Sequence, residues 1–272
     1  MFTVSYIFVG LMVMLTVYPI IYTIFGSLKT NWELTQGGRL LPPIPQFQNY
    51  VTAFVQGRFT LYTMNSFIVS LSALVIATMT ASMAGFVFAR RIFIGKKLLL
   101  SLYISMLFVA LGSVTLYPMY YLLSFFNLHR TLLGLVLALV GGQTSNVLIV
   151  MGFTKSIPRE LDEAATIDGC SLYGIFFRIV FPLLKPILAV VALFSFRSAW
   201  NDYVISLILS FANPRNRTLT VGVVQLKHSV NAAVEWHIML AGASIAIIPI
   251  LILYLFANRQ FISGLTAGSV KG

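Results

Sequence analysis

Four of the seven acidic residues in this 272-residue chain, Glu160, Asp162, Glu163 and Asp168, fall within nine positions. Carboxylates this close do acid–base work when a histidine or a second carboxylate faces them, hold a metal when imidazoles join them, or pair with bases on another surface. No histidine is near them: His129, His228 and His237 are scattered, without the spacing of a triad or a metal site. Ala164 and Ala165 stand among the acids instead, a pattern that favours docking over catalysis. The single cysteine, Cys170, excludes an internal disulfide and a thiolate metal cage, and reads as a small packing residue. The chain contains no Gly-x-x-x-x-Gly-Lys-Ser/Thr loop and is expected not to bind nucleotide. No catalytic residue and no metal ligand is assigned.

A second set of polar groups interrupts apolar sequence. Arg197, Asn201 and Asp202 lie in a hydrophobic stretch, where each charge near the centre of a lipid-exposed helix costs about 2.5 to 3.5 kcal/mol. They must face protein or a water-filled path. Contact with a solute and polar attachment between helices both fit, and the spacing of five between Arg197 and Asp202 does not stack them as an i, i+4 pair. Tyr117 and Tyr121 offer aromatic faces in another apolar stretch, although helix packing accounts for them as well.

The elements around these residues follow from composition. With 58% hydrophobic and 9% charged residues and a mean hydropathy of +0.91, the chain cannot cover a soluble globule of its size. Stretches without Asp, Glu, Lys or Arg, long enough for the roughly 20 residues of a membrane-crossing helix, cover 1–28, 59–89, 98–126 and 131–153. A fifth covers 187–211 around Arg197 and Asp202, and a sixth 238–258. The expected fold is all-α, a polytopic membrane protein with six spans in one domain over 1–272 and both termini on one side. The first span lacks a basic start and an Ala-x-Ala site, and reads as a retained helix rather than a secretory signal.

The net charge of +11 would suggest nucleic acid in a soluble protein, but the bases sit between apolar runs. Arg90, Arg91, Lys96 and Lys97 crowd the short second loop, which is therefore expected inside, along with the acidic loop and the tail. No nucleic-acid partner is expected, and lipid is. The exterior loop 29–58 reads as irregular, stiffened by Pro42, Pro43 and Pro45.

The acidic segment reads as two helices. Ser156 can cap the first, with Pro158 in its first turn and Gly169 as its stop. Leu161, Ala164 and Ala165 then share one face. Ser171 can cap the second, which presents Leu172, Ile175, Phe176 and Ile179 on one side and ends at Pro182. A solvated connector and a docking surface both fit the first helix.

Glu163-Ala164-Ala165, Asp168-Gly169, Ile179 and Pro182 resemble the EAA loop of permease subunits of binding-protein-dependent ABC importers, in the carbohydrate group that includes maltose, glycerol-phosphate and arabino-oligosaccharide permeases. The segment from Pro19 to Lys29, Asn49-Tyr50, Asn65-Ser66, Phe88-Ala89-Arg90 with Gly95, Trp200-Asn201-Asp202 and the tail from Gly264 to Gly272 are similar to that family in the same order. The resemblance implies the type I importer permease fold, with residues 154–185 as the coupling loop and 259–272 as a cytoplasmic tail. It implies that Glu160, Glu163, Ala164, Ala165, Asp168 and Gly169 seat on an ATPase, that Gly264, Gly268 and Lys271 touch the ATPase dimer, and that Arg197, Asn201, Asp202, Tyr117 and Tyr121 belong to the substrate pathway. The implied partners are a second permease, preferably a different chain, a dimer of ATPases that bind ATP and magnesium, and an extracytoplasmic sugar-binding protein delivering an oligosaccharide across a bacterial inner membrane. The chain itself would be no enzyme and hold no cofactor. A self-sufficient channel or secondary carrier, and less so a membrane enzyme, are the alternatives.

Overall fold

The computed structural model describes residues 2–37, 39–108, 112–226 and 234–267, with side chains described for residues 5–255 of these. Among the described residues the chain is helical, without strands. In chain order the helices are α1 (Phe2–Ser27), α2 (Asn31–Gln36), α3 (Gln48–Gln56), α4 (Phe59–Arg90), α5 (Lys96–Phe108), α6 (Leu116–Phe125), α7 (Leu132–Val140) and α8 (Thr144–Ser156). They continue with α9 (Glu160–Ile167), α10 (Leu172–Gly174), a π-helical turn over Ile175–Val180, α11 (Phe181–Leu183), α12 (Lys185–Asn201), α13 (Val204–Ser210), α14 (Leu219–Gln225) and α15 (Trp236–Ala267).

Among the described residues, three helices are long and apolar enough to cross a membrane unbroken: Ser5–Ser27, Phe59–Arg90 and Trp236–Leu255. Two bent pairs raise the number to as many as five if each pair is one span: Leu132–Val140 with Thr144–Ser156, bent by 54°, and Leu172–Leu183 with Lys185–Asn201, bent by 79°. The stretch expected as the third span is divided into α5 and α6, with a 3-10 turn at Gly112–Thr115 between them. The stretch expected as the fifth span does not run through: α12 stops at Asn201, and α13 begins at Val204. Runs free of charge reveal apolar length, but a break inside them leaves no gap in hydropathy. The helix of the sixth span outruns the expected span, since α15 remains one helix through Pro249 and on to Ala267, into the segment expected as a cytoplasmic tail.

Ser and Thr hydroxyls in these helices return to the carbonyl one turn back, as Thr23 does to Pro19, Thr80 to Ile76 and Thr154 to Val150, each at 2.8 Å. That bond satisfies a polar group without a partner helix, which is how such residues tolerate an apolar surrounding.

The chain forms two compact units. In the first, residues 1–65 with 217–251, Phe59, Leu219 and Val221 are fully buried, and the glycines at 222 and 242 allow close approach. A Cβ on Gly222 would stand 2.4 Å from the Tyr62 ring. In the second, residues 66–216 with 252–272, one core joins α4, α8, the π-helical turn and α12 through Phe86, Val150, Phe176, Val180, Leu184 and Val191. A smaller cluster gathers Val69, Leu123, Leu135, Val136 and Leu209.

The loop of residues 29–58 departs from the irregular segment expected of it, because α2 and α3 lie within it. Thr30 and Glu33 form a reciprocal capping box that starts α2. The Thr-x-x-Glu signal was present in the sequence, and the nearby glycines and prolines masked it.

Gly134 and Gly152 test the packing. A Cβ on Gly134 would fall 2.1 Å from the Leu128 carbonyl oxygen, whereas one on Gly152 meets nothing within 4 Å. Gly134→Ala is expected to destabilise the solubilised chain by about 1–3 kcal/mol, the usual cost of overpacking. Gly152→Ala should be neutral or stabilising by up to about 1 kcal/mol, as alanine is in a helix interior. Thermal unfolding of the two variants in one detergent measures the difference.

Candidate functional site

The acidic segment is built on a short helix held at both ends. α9 begins at Glu160 with Glu160, Asp162 and Glu163 in its first turn, where carboxylates complement the helix dipole. Ser156 does not cap it: that residue ends α8 and bonds back to the Phe153 carbonyl at 2.7 Å, while Arg159 occupies the cap position without a side-chain bond. Pro158 therefore lies before the helix rather than in its first turn. The far end closes as a Schellman motif. Cys170 N–H donates to the Ala165 carbonyl at 2.9 Å and Gly169 N–H to Thr166 at 3.1 Å, with Gly169 at φ +78°. Only glycine takes that φ freely.

Arg90, the last residue of α4, anchors this helix. Its Nε lies 2.9 Å from Asp162 Oδ2, and the two side chains are 4% and 18% exposed. Its guanidinium also donates to the Ile157 carbonyl at 2.8 Å, so one cation fixes both the approach to α9 and its first turn. Asp162 is thereby turned inward. Its place among four close carboxylates did not distinguish it from the others, and its partner lies far away in sequence.

The faces of α9 also divide differently from the helical wheel. Ala165 is 6% exposed and belongs to the core with Phe176 and Val180, so it does not share an outward face with Ala164 and Leu161. The outward surface is Glu160, Leu161, Glu163, Ala164, Ile167 and Asp168. Ile167 is 86% exposed, an apolar tip missed in the sequence because it follows the alanines. Beside Arg90 lies a cavity of about 190 Å³ lined by Arg91, Arg159, Glu163 and Thr166 among others. Ser171 caps the next helix as expected, accepting from Gly174 N–H at 3.2 Å, and Ile175 and Phe176 are buried. Leu172 is left exposed, and Pro182 lies within α11 instead of ending the segment.

The polar residues of α12 separate by face. Arg197 and Asn201, one turn apart, are both exposed, whereas Phe196, Ala199 and Trp200 are buried. Asp202 is half-buried, and its Oδ1 accepts from Ser206 N–H at 2.8 Å and Ser206 Oγ at 2.9 Å, so it starts α13. Tyr117 and Tyr121 are exposed; Tyr117 lines an open cavity of about 450 Å³ with Tyr120, Ile208 and Phe211, and Tyr121 does not. A further polar group went unnoticed in the sequence. Ser195 of α12 receives the Asn146 amide at 3.1 Å and donates to Gln143 Oε1 at 2.9 Å, across the break between α7 and α8. Gly264 lies in α15, while Gly268, Lys271 and His228 fall outside the described residues. Among the described residues no group of three or more His, Cys, Asp or Glu side chains could hold a metal.

Residues 57–265 match the family described as binding-protein-dependent transport system inner membrane component. The chain belongs to that family. It is 33% identical to the sulfoquinovosyl glycerol transport system permease protein of Agrobacterium fabrum, over 94% of this chain and 89% of the relative. It is 31% identical to the galactooligosaccharides transport system permease protein of Bacillus subtilis, over 98% and 95%. Among solved structures, the fold matches a bacterial ABC transporter involved in the import of alginate, with a TM-score of 0.80, 20% identity and 95% of both chains covered. The chain is thus an inner-membrane permease subunit of an ABC importer, all-α in the type I fold. The channel, carrier and enzyme readings fall away. Among the described residues, the Arg90–Asp162 charge pair ties the end of α4 to α9 over the core behind them.

Removing one member of a buried ion pair strands the other charge at a cost of about 3–5 kcal/mol; with Asp162 partly exposed, roughly 1–3 kcal/mol is expected of Arg90→Ala or Asp162→Ala. A double-mutant cycle on the solubilised chain should show the two losses to be non-additive by about 0.5–3 kcal/mol. Additive losses would reduce the pair to a contact without coupling.

Proposed function

We propose that this permease forms half of the translocation pathway for an oligosaccharide and is driven through α9 by a dimer of ATPase subunits. The observation that carries the reading is the outward face of α9, with acids and an apolar tip, on a helix that Arg90, Ala165 and the Gly169 turn hold rigidly against the chain's own core. A rigid element transmits displacement, whereas a solvated connector would absorb it. Glu160, Glu163, Ala164, Asp168 and Gly169 are the residues assigned to ATPase docking, with Ile167 added, and Ala165 supports them from behind. ATP and magnesium belong to the ATPases. This permease then works with a second, different permease, and an extracytoplasmic binding protein delivers the sugar. Both termini are assigned to the cytoplasm, where Gly264, Gly268 and Lys271 would contact the ATPase dimer.

An oligosaccharide is favoured because relatives named for galactooligosaccharides, arabinooligosaccharides and maltodextrin align over nearly the whole chain. Arg197 and Asn201 are assigned to the pathway, since an exposed polar face on an apolar helix needs water, sugar or a protein partner. Asp202 supports them by shaping the break, and Tyr117 and Tyr121 supply aromatic surface. Switching such a pathway from 1:99 to 99:1 needs about 5.5 kcal/mol of differential affinity, which nucleotide and binding protein must supply together.

Gly169→Val tests the reading, because a β-branched residue is strained at φ +78°. The variant is expected to insert in the membrane while ATPase co-purification and ATP-driven uptake fall by about tenfold or more, a loss of about 1.4 kcal/mol in coupling. Uptake and ATPase binding at the unsubstituted level would overturn it.

A further inference from the structure

The loop after α1 holds a pocket that transport coupling does not use. A cavity of about 360 Å³ is lined by Trp32, Gln36, Arg39, Leu41 and Pro43 together with Lys29 and Glu33. That volume lies within the roughly 300–1,000 Å³ of small-molecule sites. Trp32 is 70% exposed, so its indole is available rather than spent on a core.

The walls are held from several directions. Thr30 N–H and Oγ donate to Glu33 Oε2 at 2.8 and 3.0 Å, fixing the start of α2. Lys29, only 4% exposed, donates through Nζ to the Arg39 carbonyl and so ties the two ends of the segment together. Asn49 donates to the Ser27 and Lys29 carbonyls, both at 2.8 Å, and fastens the same segment to α3. Gly37, at φ +74°, turns the chain at the end of α2.

We propose that this pocket is a saccharide subsite. One pyranose ring stacks its apolar C–H face on the Trp32 indole, and its hydroxyls meet the Gln36 amide and the Arg39 guanidinium. A flat aromatic face bordered by an amide and a guanidinium suits a ring that is apolar on its faces and polar at its rim. A tryptophan serving only as an interfacial anchor needs lipid on the indole and no polar side chains lining a pocket around it. The saccharide class rests on the transport reading above, whereas the binding itself is measured without transport.

The test uses the full-length chain with its co-purified subunits in lipid nanodiscs, without ATP or binding protein. Saturation transfer from protein to sugar is recorded by NMR for maltotetraose, galactotetraose and tetramannuronate. Transfer to ring protons of at least one probe is expected, reduced about fivefold in Trp32→Ala, the scale of one aromatic contact, and retained in Trp32→Phe. Gln36→Ala, which leaves the capping box and the indole intact, is expected to lower transfer about twofold, as befits one hydrogen bond. No transfer in the unsubstituted protein, or equal transfer in Trp32→Ala, overturns the proposal. So does a Trp32→Ala variant that fails to insert while Gln36→Ala binds normally, because Trp32 is then an anchor. If the unsubstituted complex shows transfer in nanodiscs but no ATP-driven uptake when reconstituted with binding protein in proteoliposomes, the importer reading alone is overturned.

Discussion

In hydrocarbon no water is available to satisfy a backbone N–H or C=O, and this constraint underlies every other feature of the chain. It requires helices, and it makes each interruption of a helix a place where polar groups must be re-satisfied locally. The break at Asp202 is met by its own carboxylate, which bonds Ser206 and starts the next helix. The break between α7 and α8 is bordered by Gln143 and Asn146, which bond to Ser195 of α12. Breaks of this kind divide spans that composition alone would draw as continuous.

The Arg90–Asp162 pair answers the same constraint where the apolar core ends. A nearly buried guanidinium cannot be left alone, so it binds the carboxylate and the Ile157 carbonyl together. The result is a short helix tied at its first turn to the end of α4. Of the clustered acids, one is used inward and the others remain outward, and a surface with a fixed pose follows from a charge that had to be neutralised.

Part of the local geometry of the acidic loop is legible in its sequence. Gly169 was identified as a stop, and the left-handed φ and Schellman bonds give it that geometry. Ser171 was identified as a cap and is one. Both signals are local, confined to four or five consecutive residues. Ser156 failed as a cap because α8 runs one turn further than the charge pattern implied, a matter decided by Val150 and Thr154 packing into the core. Ala165 and Ala164 are indistinguishable by type, and only the position of Phe176 and Val180 behind the helix separates them.

Scarce charge determined the class, a helical membrane protein, and the order of motifs arranged locally along the chain carried its resemblance to importer permeases. Hydropathy is additive along a sequence, so apolar length could be counted directly. Which residues face inward, where the spans break, and which carboxylate meets Arg90 were decided by the tertiary structure. Those depend on pairs far apart in sequence, 72 positions for Arg90 and Asp162, and a linear pattern carries no record of such distances.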